Sequence, residues 1–296
     1  MSVQSVKHPP TEAAPDTRRA PRESAALDAA GEPTGTVSDA AAAERVERRV
    51  LDGLLWTFRD HFGRTLAALP AAAWTDPAGQ GWQRVKDNAT RAVWRARIDG
   101  TVYYLKYYVR RRWSGAFKRR WRGPACEIEW KSGVYALRAG IPAVRPVGYT
   151  DRVDCAGRTC SLLVTEAVEP AYPLNEYWET LRADDDASRR RRDTAYLTDL
   201  LAQMIARAHQ AGFEHRDMHA ANILVHPTAP GASETVFVDL HSARLGMPLD
   251  DRAVVRNLAQ LNQWFRQHSR ISDRLRFLRR YLRWRNEYEQ AFAPAR

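Results

Sequence analysis

The stretch His215-Arg216-Asp217-Met218-His219-Ala220-Ala221-Asn222 holds the side chains best suited to chemistry in this 296-residue sequence. A carboxylate at Asp217 and an amide five positions on at Asn222 have the types and spacing for phosphoryl transfer. The carboxylate would orient an acceptor hydroxyl, and the amide oxygen would hold a magnesium ion. The segment follows a helix-like pattern and runs into the apolar Ile223-Leu224-Val225, so it reads as a loop entering a strand. A second apolar run, Val236-Phe237-Val238, delivers Asp239, a candidate for the other metal ligand. Two hard oxygen donors beside nucleotide phosphates suit magnesium.

Such a loop needs a cation to meet the phosphates and an element to carry it. Three strand-like runs come earlier: Trp82 to Lys86, Ala92 to Ile98, and Thr101 to Val109. The last two are joined by Asp99-Gly100, a strong two-residue hairpin signal. Alternation in the third run places Lys106 on one face near its end. A lone strand lysine is most often just solvated. In a nucleotide-binding sheet, however, the third strand is where an ammonium reaches the phosphates and pairs with a helix carboxylate. The helix pattern from Pro124 to Arg138, stopped by Gly140 and Pro142, offers Glu127 and Glu129, and spacing leaves both open.

Pro146 to Arg152 and Thr159 to Thr165 read as a strand pair around Ala156-Gly157-Arg158. The segment Val164-Thr165-Glu166-Ala167-Val168 then connects to a helical half. Its backbone around Glu166 and Val168 is a candidate to pair with an adenine edge; the plainer reading is an inter-lobe linker. Asp193 to Gly212 carries Leu197, Leu200, Leu201, Met204, Ile205 and Ala208 at helical spacing, and Arg252 to Phe265 and Ser272 to Phe292 continue the helical pattern. Upstream, Val46, Val50, Leu54, Phe58 and Phe62 recur every four positions after Ser38, which predicts an amphipathic helix.

The expected architecture is α+β: a two-lobed, small antiparallel sheet lobe with one helix, then a mainly helical lobe. Its expected boundaries are a disordered tail at 1–37, a small lobe with its extension helix at 38–165, and a catalytic lobe at 166–296. A formal charge of +11 calls for an anionic partner without choosing among nucleotide, nucleic acid, glycolipid and membrane. Cys126, Cys155 and Cys160 are odd in number and lack paired CxxC spacing, which argues against a disulfide scaffold or zinc cluster. With no apolar leader and no window near the roughly 18 apolar residues of a span, the expectation is a cytoplasmic protein. The run Arg110 to Arg122 has Trp113, Phe117 and Trp121 at four-residue spacing among seven cations, a composition suited to an anionic leaflet. The competing reading packs these aromatics on the small lobe and leaves the cations in water.

Lys106, Glu127 or Glu129, Asp217, Asn222 and Asp239 stand in the order of a protein-kinase-like fold, over about residues 80 to 290. His219 sits where protein kinases usually carry a lysine, a substitution typical of the sugar and small-molecule kinases of that superfamily. Further motifs resemble the lipopolysaccharide core kinase family: Leu105-Lys106-Tyr107-Tyr108, Glu129-Trp130 with Gly140-Ile141-Pro142, Thr165-Glu166, Val238-Asp239-Leu240-His241, and Arg256-Asn257-Leu258-Ala259-Gln260-Leu261. The resemblance implies an ATP- and magnesium-dependent kinase acting on a heptose or Kdo hydroxyl of lipopolysaccharide inner core, or a related lipid-linked glycan, at the inner membrane's cytoplasmic face.

By the same resemblance, Glu129 rather than Glu127 holds Lys106, Asn222 and Asp239 hold magnesium, and Asp217 orients the acceptor. His219 either contacts a phosphate or acceptor or braces Asp217, and His215 is structural. The arginines at 189–192 and from Arg266 to Arg285 read as solvated faces or contacts to a charged glycolipid. Two departures stand out. Lys86-Asp87-Asn88-Ala89-Thr90-Arg91 has no glycine where a phosphate loop would lie, and Asn257 replaces a commoner aspartate that braces the loop. Competing readings are a phosphotransferase acting on a soluble small molecule or protein, and a pseudokinase or RNA-associated scaffold. The intact Lys106, Asp217, Asn222 and Asp239 set weighs against the scaffold and against nucleic acid as partner.

Overall fold

The computed structural model describes residues 45–110, 123–229 and 231–291. A seven-stranded sheet is built from β1 (Val46–Leu51), β2 (Leu54–Arg59), β3 (Gln83–Asp87), β4 (Arg91–Ile98), β5 (Thr101–Val109), β6 (Pro146–Cys155) and β7 (Arg158–Glu166). The order is β1-β2-β6-β7-β5-β4-β3, every neighbouring pair antiparallel. The β4–β5 hairpin turns on Asp99 and Gly100, both at positive φ (48° and 80°), as a tight two-residue turn requires.

The amphipathic helix expected after Ser38 does not form over its described part. Val46 to Phe58 is instead the hairpin β1–β2, turned at Asp52 and Gly53 with φ of 47° and 77°. A recurrence of four residues is compatible with a period of 2 as well as with 3.6, so it did not separate strand from helix. In β2, Trp56 and Phe58 point into the core, while Val46 and Val50 of β1 face solvent at 44% and 66% exposure. The expected tail 1–37 and the basic aromatic run, apart from Arg110, lie outside the described residues.

Short helices α1 (Gly63–Ala68) and α2 (Ala71–Thr75) follow the hairpin. With the sheet they close a core of Trp56, Phe62, Trp74, Leu105, Tyr107 and Val164. Helix α3 (Ala125–Arg138) lies on the sheet through Cys126 and Trp130, beside Tyr108 and Leu163, and its last turn sends Ala136 into a second core. That core belongs to α4 (Leu174–Arg182), α5 (Ala187–Gln210), α6 (Asp251–His268) and α7 (Ile271–Ala291). Helix α5 starts six residues before the expected Asp193, because Asp186 caps it by accepting hydrogen bonds from the Ser188 and Arg189 amides. The arginine run 189–192 is therefore its first turns, with Arg189 paired to Asp184.

Four of the short strands that carry the site lie between α5 and α6, and a fifth comes just before α4. β8 (Tyr172–Pro173), β10 (Ile223–Ala229) and β11 (Ala232–Phe237) form one sheet in the order β11-β10-β8, and β9 (Phe213–Glu214) pairs with β12 (Arg244–Leu245). Gly212 ends α5 at φ +74°, where a Cβ would lie 2.0 Å from the Gly246 carbonyl oxygen. Only glycine permits that approach, and it turns the chain straight into β9 and the loop beyond.

Candidate active site

Lys106 on β5 stands opposite Val93 of β4 and Leu163 of β7, so its side chain leaves the sheet beneath α3. Its ammonium is 2.5 Å from Glu129 Oε1, and Glu129 is 2% exposed. Glu127, one turn-edge away, pairs with Lys131 at 2.7 Å on the surface. Tyr108 shares the face of Lys106 and donates its hydroxyl to Glu129 Oε2. Burial, then the adjacent Glu129 charge, pushes the Tyr108 phenol well above its ordinary range, so it remains a donor. Glu129 also accepts a long hydrogen bond, 3.4 Å, from the Leu240 amide, which ties α3 to the residue after Asp239.

Asp239 follows β11 in the left-handed region, φ 60° and ψ 55°. Its Oδ1 accepts from Arg91 at 2.6 Å and from His241 Nδ1 at 2.5 Å. Burial works against the charged carboxylate, yet the hydrogen bonds from His241 and Arg91 and the Lys106 charge win and hold it well below the usual range. The His241 imidazole is raised, first through its bond to Asp239. Asn222 ends the loop as β10 begins, and Val238 N donates to its carbonyl at 3.0 Å, so Asn222 and Asp239 emerge from neighbouring strand ends. The Asn222 amide nitrogen donates to the Asp217 carbonyl (2.9 Å) and to Asp217 Oδ2 (3.2 Å). That fixes the amide plane and leaves its oxygen as the acceptor.

Asp217 itself is open, its side chain 53% exposed. His219 Nε2 lies 3.6 Å from Asp217 Oδ2, an ion-pair distance rather than a hydrogen bond. His215 is buried and donates from Nε2 to the Val238 carbonyl at 2.9 Å, which pins the strand end that carries Asp239. Burial lowers its pKa, against the opposing effect of the Val238 bond.

The loop is braced from behind by a chain of hydrogen bonds of which the sequence announced only Asn257. The Tyr281 hydroxyl meets His209 Nδ1 at 2.8 Å, and His209 Nε2 meets Asn257 Oδ1 at 2.9 Å. The Asn257 amide nitrogen then donates to the His215 carbonyl at 2.8 Å. Because an amide oxygen only accepts, His209 carries its proton on Nε2 and receives the Tyr281 hydroxyl on Nδ1. Asn257 thus supports the loop by donating to a carbonyl, a task that its amide can do and an ionised aspartate cannot. Gln260 adds a bond from its side-chain nitrogen to the Arg216 carbonyl, 3.0 Å.

The connecting segment has part of its backbone committed. The Glu166 amide donates to the Arg145 carbonyl and the Ala167 amide to the Val102 carbonyl, both at 2.9 Å, and the Glu166 carboxylate meets His61 at 2.9 Å. Val168 lines an open depression with Tyr104, Glu169, Pro170, Ala171 and Tyr172. At the β3–β4 turn, where a glycine loop would lie, Asn88 Oδ1 accepts from the Thr90 amide, the Thr90 hydroxyl and the Arg91 amide at 2.8–3.0 Å. A side-chain turn does the work of glycine here. Arg91, Tyr108 and His209 were missed as site residues; only Tyr108 left a signal, two positions from Lys106 on the same strand face.

A family model for the lipopolysaccharide kinase (Kdo/WaaP) family matches residues 79–281. The chain belongs to that family. Among its relatives is the lipopolysaccharide core heptose(I) kinase WaaP of Pseudomonas aeruginosa, 26% identical over 242 residues, which cover 77% of this chain and 83% of the relative. The WaaP of Escherichia coli K12 is 23% identical over 163 residues, 53% of this chain and 60% of that one. A solved structure, WaaP in complex with acyl carrier protein, superposes with a TM-score of 0.53 at 24% identity, covering 72% of this chain and 85% of that one. As a lipopolysaccharide kinase, the chain is the sugar-phosphorylating enzyme that its motifs resemble, and its mixed α/β architecture with antiparallel sheets fits the kinase-like fold.

Proposed function

We propose that this lipopolysaccharide kinase transfers the terminal phosphoryl group of ATP to a heptose or Kdo hydroxyl of the inner core, as a two-lobed enzyme hinged at residues 164–168. The observation that carries the reading is one unbroken run of contacts: Lys106 to Glu129, Glu129 to Leu240 beside Asp239, Val238 to Asn222, and Asn222 to Asp217. It links the phosphate-facing cation to the acceptor-facing carboxylate.

The donors suit a magnesium nucleotide. Asp239 is kept ionised and its Oδ2 accepts from none of the described residues, while the Asn222 oxygen is turned free by its own nitrogen's bonds. Asn222 and Asp239 would hold the ion, which when bound neutralises charge on the phosphates. Lys106, kept in place by Glu129, orients the phosphates. Asp217, with one oxygen restrained by Asn222, aligns the acceptor hydroxyl and takes its proton as the phosphorus–oxygen bond forms. In a loose transition state alignment counts for more than basicity, so an open Asp217 suffices. The Val168 depression beneath Tyr104 is where the adenine would enter.

Two readings extend this to partners. Among the described residues no helix is long and apolar enough to cross a membrane, and a peripheral seat at the inner membrane through the basic run 110–122 rests on its sequence. Acyl carrier protein is a second candidate partner. A cavity of about 490 Å³ opens among α4–α7, lined by Trp178, Leu201, Leu261, Phe265, Phe277 and Leu278, a lining suited to an acyl chain. Gel filtration with acylated and unacylated carrier protein tests it, with retention of the acylated form expected and equal elution of both contradicting it. The enzymatic reading is tested by label transfer from ATP to lipopolysaccharide stripped of core phosphate. Label in the core sugar is expected, and none with the wild type would sink the assignment.

A further inference from the structure

We infer that Arg91 is the group that grips the nucleotide phosphates in place of a glycine loop, and that it leaves Asp239 to do so; the inference rests on the kinase reading above. Arg91 opens β4, directly after the turn that Asn88 pins, and its amide is one of the three donors to Asn88 Oδ1. It faces Tyr108 across the β4–β5 ladder, and its guanidinium reaches across to Asp239 Oδ1 at 2.6 Å with its side chain only 16% exposed. A long cationic side chain is thus anchored at the phosphate turn and parked on the metal-facing carboxylate.

The charges in the cluster explain why it is parked there. Lys106 and Arg91 face Glu129 and Asp239, two cations against two carboxylates, with His241 a further donor to Asp239. Removing Arg91 from Asp239 with nothing in exchange would leave a buried carboxylate under-compensated. A magnesium nucleotide supplies both halves of the exchange at once: a cation for Asp239 and phosphate oxygens for the guanidinium. Arginine presents five donors in a planar fork that matches phosphate, so one such side chain can replace several of the backbone amides that a glycine loop would offer. The same contact opposes a bare divalent cation, because a guanidinium already sits on the carboxylate that would receive it.

Opposite effects on two ligands therefore mark the role. With the full chain, binding of a fluorescent ATP analogue with magnesium and binding of Mn²⁺ alone, read by electron paramagnetic resonance, are compared for wild type, Arg91→Ala and Arg91→Lys. Arg91→Ala is expected to weaken the nucleotide about 10- to 100-fold and to tighten Mn²⁺ alone; Arg91→Lys is expected to recover part of the nucleotide affinity. Nucleotide binding by Arg91→Ala at the wild-type level would overturn the inference. Parallel loss of nucleotide and Mn²⁺ in both variants would also overturn it, since that marks a merely structural pair. A wild type that binds no nucleotide would instead bring down the kinase reading, and this inference with it.

Discussion

Glu129 is the residue on which the small-sheet half of the site turns. It receives Lys106, Tyr108 and the Leu240 amide while almost wholly buried. Substituting one partner of a buried ion pair leaves the other charge uncompensated, so Glu129→Ala is expected to cost about 3 kcal/mol of stability. Glu127→Ala, which loses only a surface pair with Lys131, is expected to stay within about 0.5 kcal/mol of wild type. Urea unfolding of the two variants checks this, and equal losses would contradict the assignment of partners. The candidate residues were legible because their chemistry needs them at set distances along the chain: Asp217 five before Asn222, and Asp239 at the end of an apolar strand. Arg91 was not legible, because its function depends on reaching 148 positions away to Asp239, and nothing local to the turn encodes that.

Elements place these residues, and their local rules explain both what was readable and what was not. Asp99-Gly100 announced one hairpin; Asp52-Gly53 turns another, but the four-residue apolar recurrence around it was read as a helix. The turn residues carried the deciding information. Gly212 is a third such position, and Gly212→Ala is expected to destabilise by more than about 1 kcal/mol, because both its φ and the Gly246 carbonyl exclude a Cβ. Calorimetric midpoints of that variant check it, and an unchanged midpoint would show that the α5 terminus yields. The helices behind the loop also predict a pH dependence. Burial lowers His209 to about 4, with the Asn257 hydrogen bond opposing, from an ordinary value of 6.5. The unfolded chain therefore takes up a proton that the folded chain refuses between those values. Stability is full above 6.5 and declines as pH falls towards 4, by up to ~1.4 kcal/mol per pH unit. Denaturant midpoints across that range should slope less in His209→Gln; an unchanged slope would place the acid-sensitive group elsewhere.

At the scale of the whole molecule, three apolar clusters are present among the described residues, and α3 links two of them, with Trp130 in the small cluster against the sheet and Ala136 in the helical core. The site straddles that link: Lys106 and Arg91 come from the sheet, Asp217 and Asn222 from the helical half, and Glu129 lies between. A magnesium nucleotide bound there should stabilise the whole chain, by about 2.7 kcal/mol at a hundredfold excess over its Kd. A thermal scan should register that increment in wild type and lose it in Asp239→Ala. The runs that became β3 to β7 and the helical half followed from strand and helix periodicity, whereas the sheet order and the joining of the halves depended on long-range contacts such as Glu129 to Leu240, which no sequence spacing reveals.

The most direct test separates holding the nucleotide from using it. Asp217→Ala and wild type are given magnesium and labelled ATP with lipopolysaccharide as acceptor, and nucleotide binding and transfer to core sugar are followed in the same samples. The account predicts that Asp217→Ala binds nucleotide like the wild type and transfers at least about 10²-fold more slowly. Transfer at the wild-type rate by Asp217→Ala would contradict it.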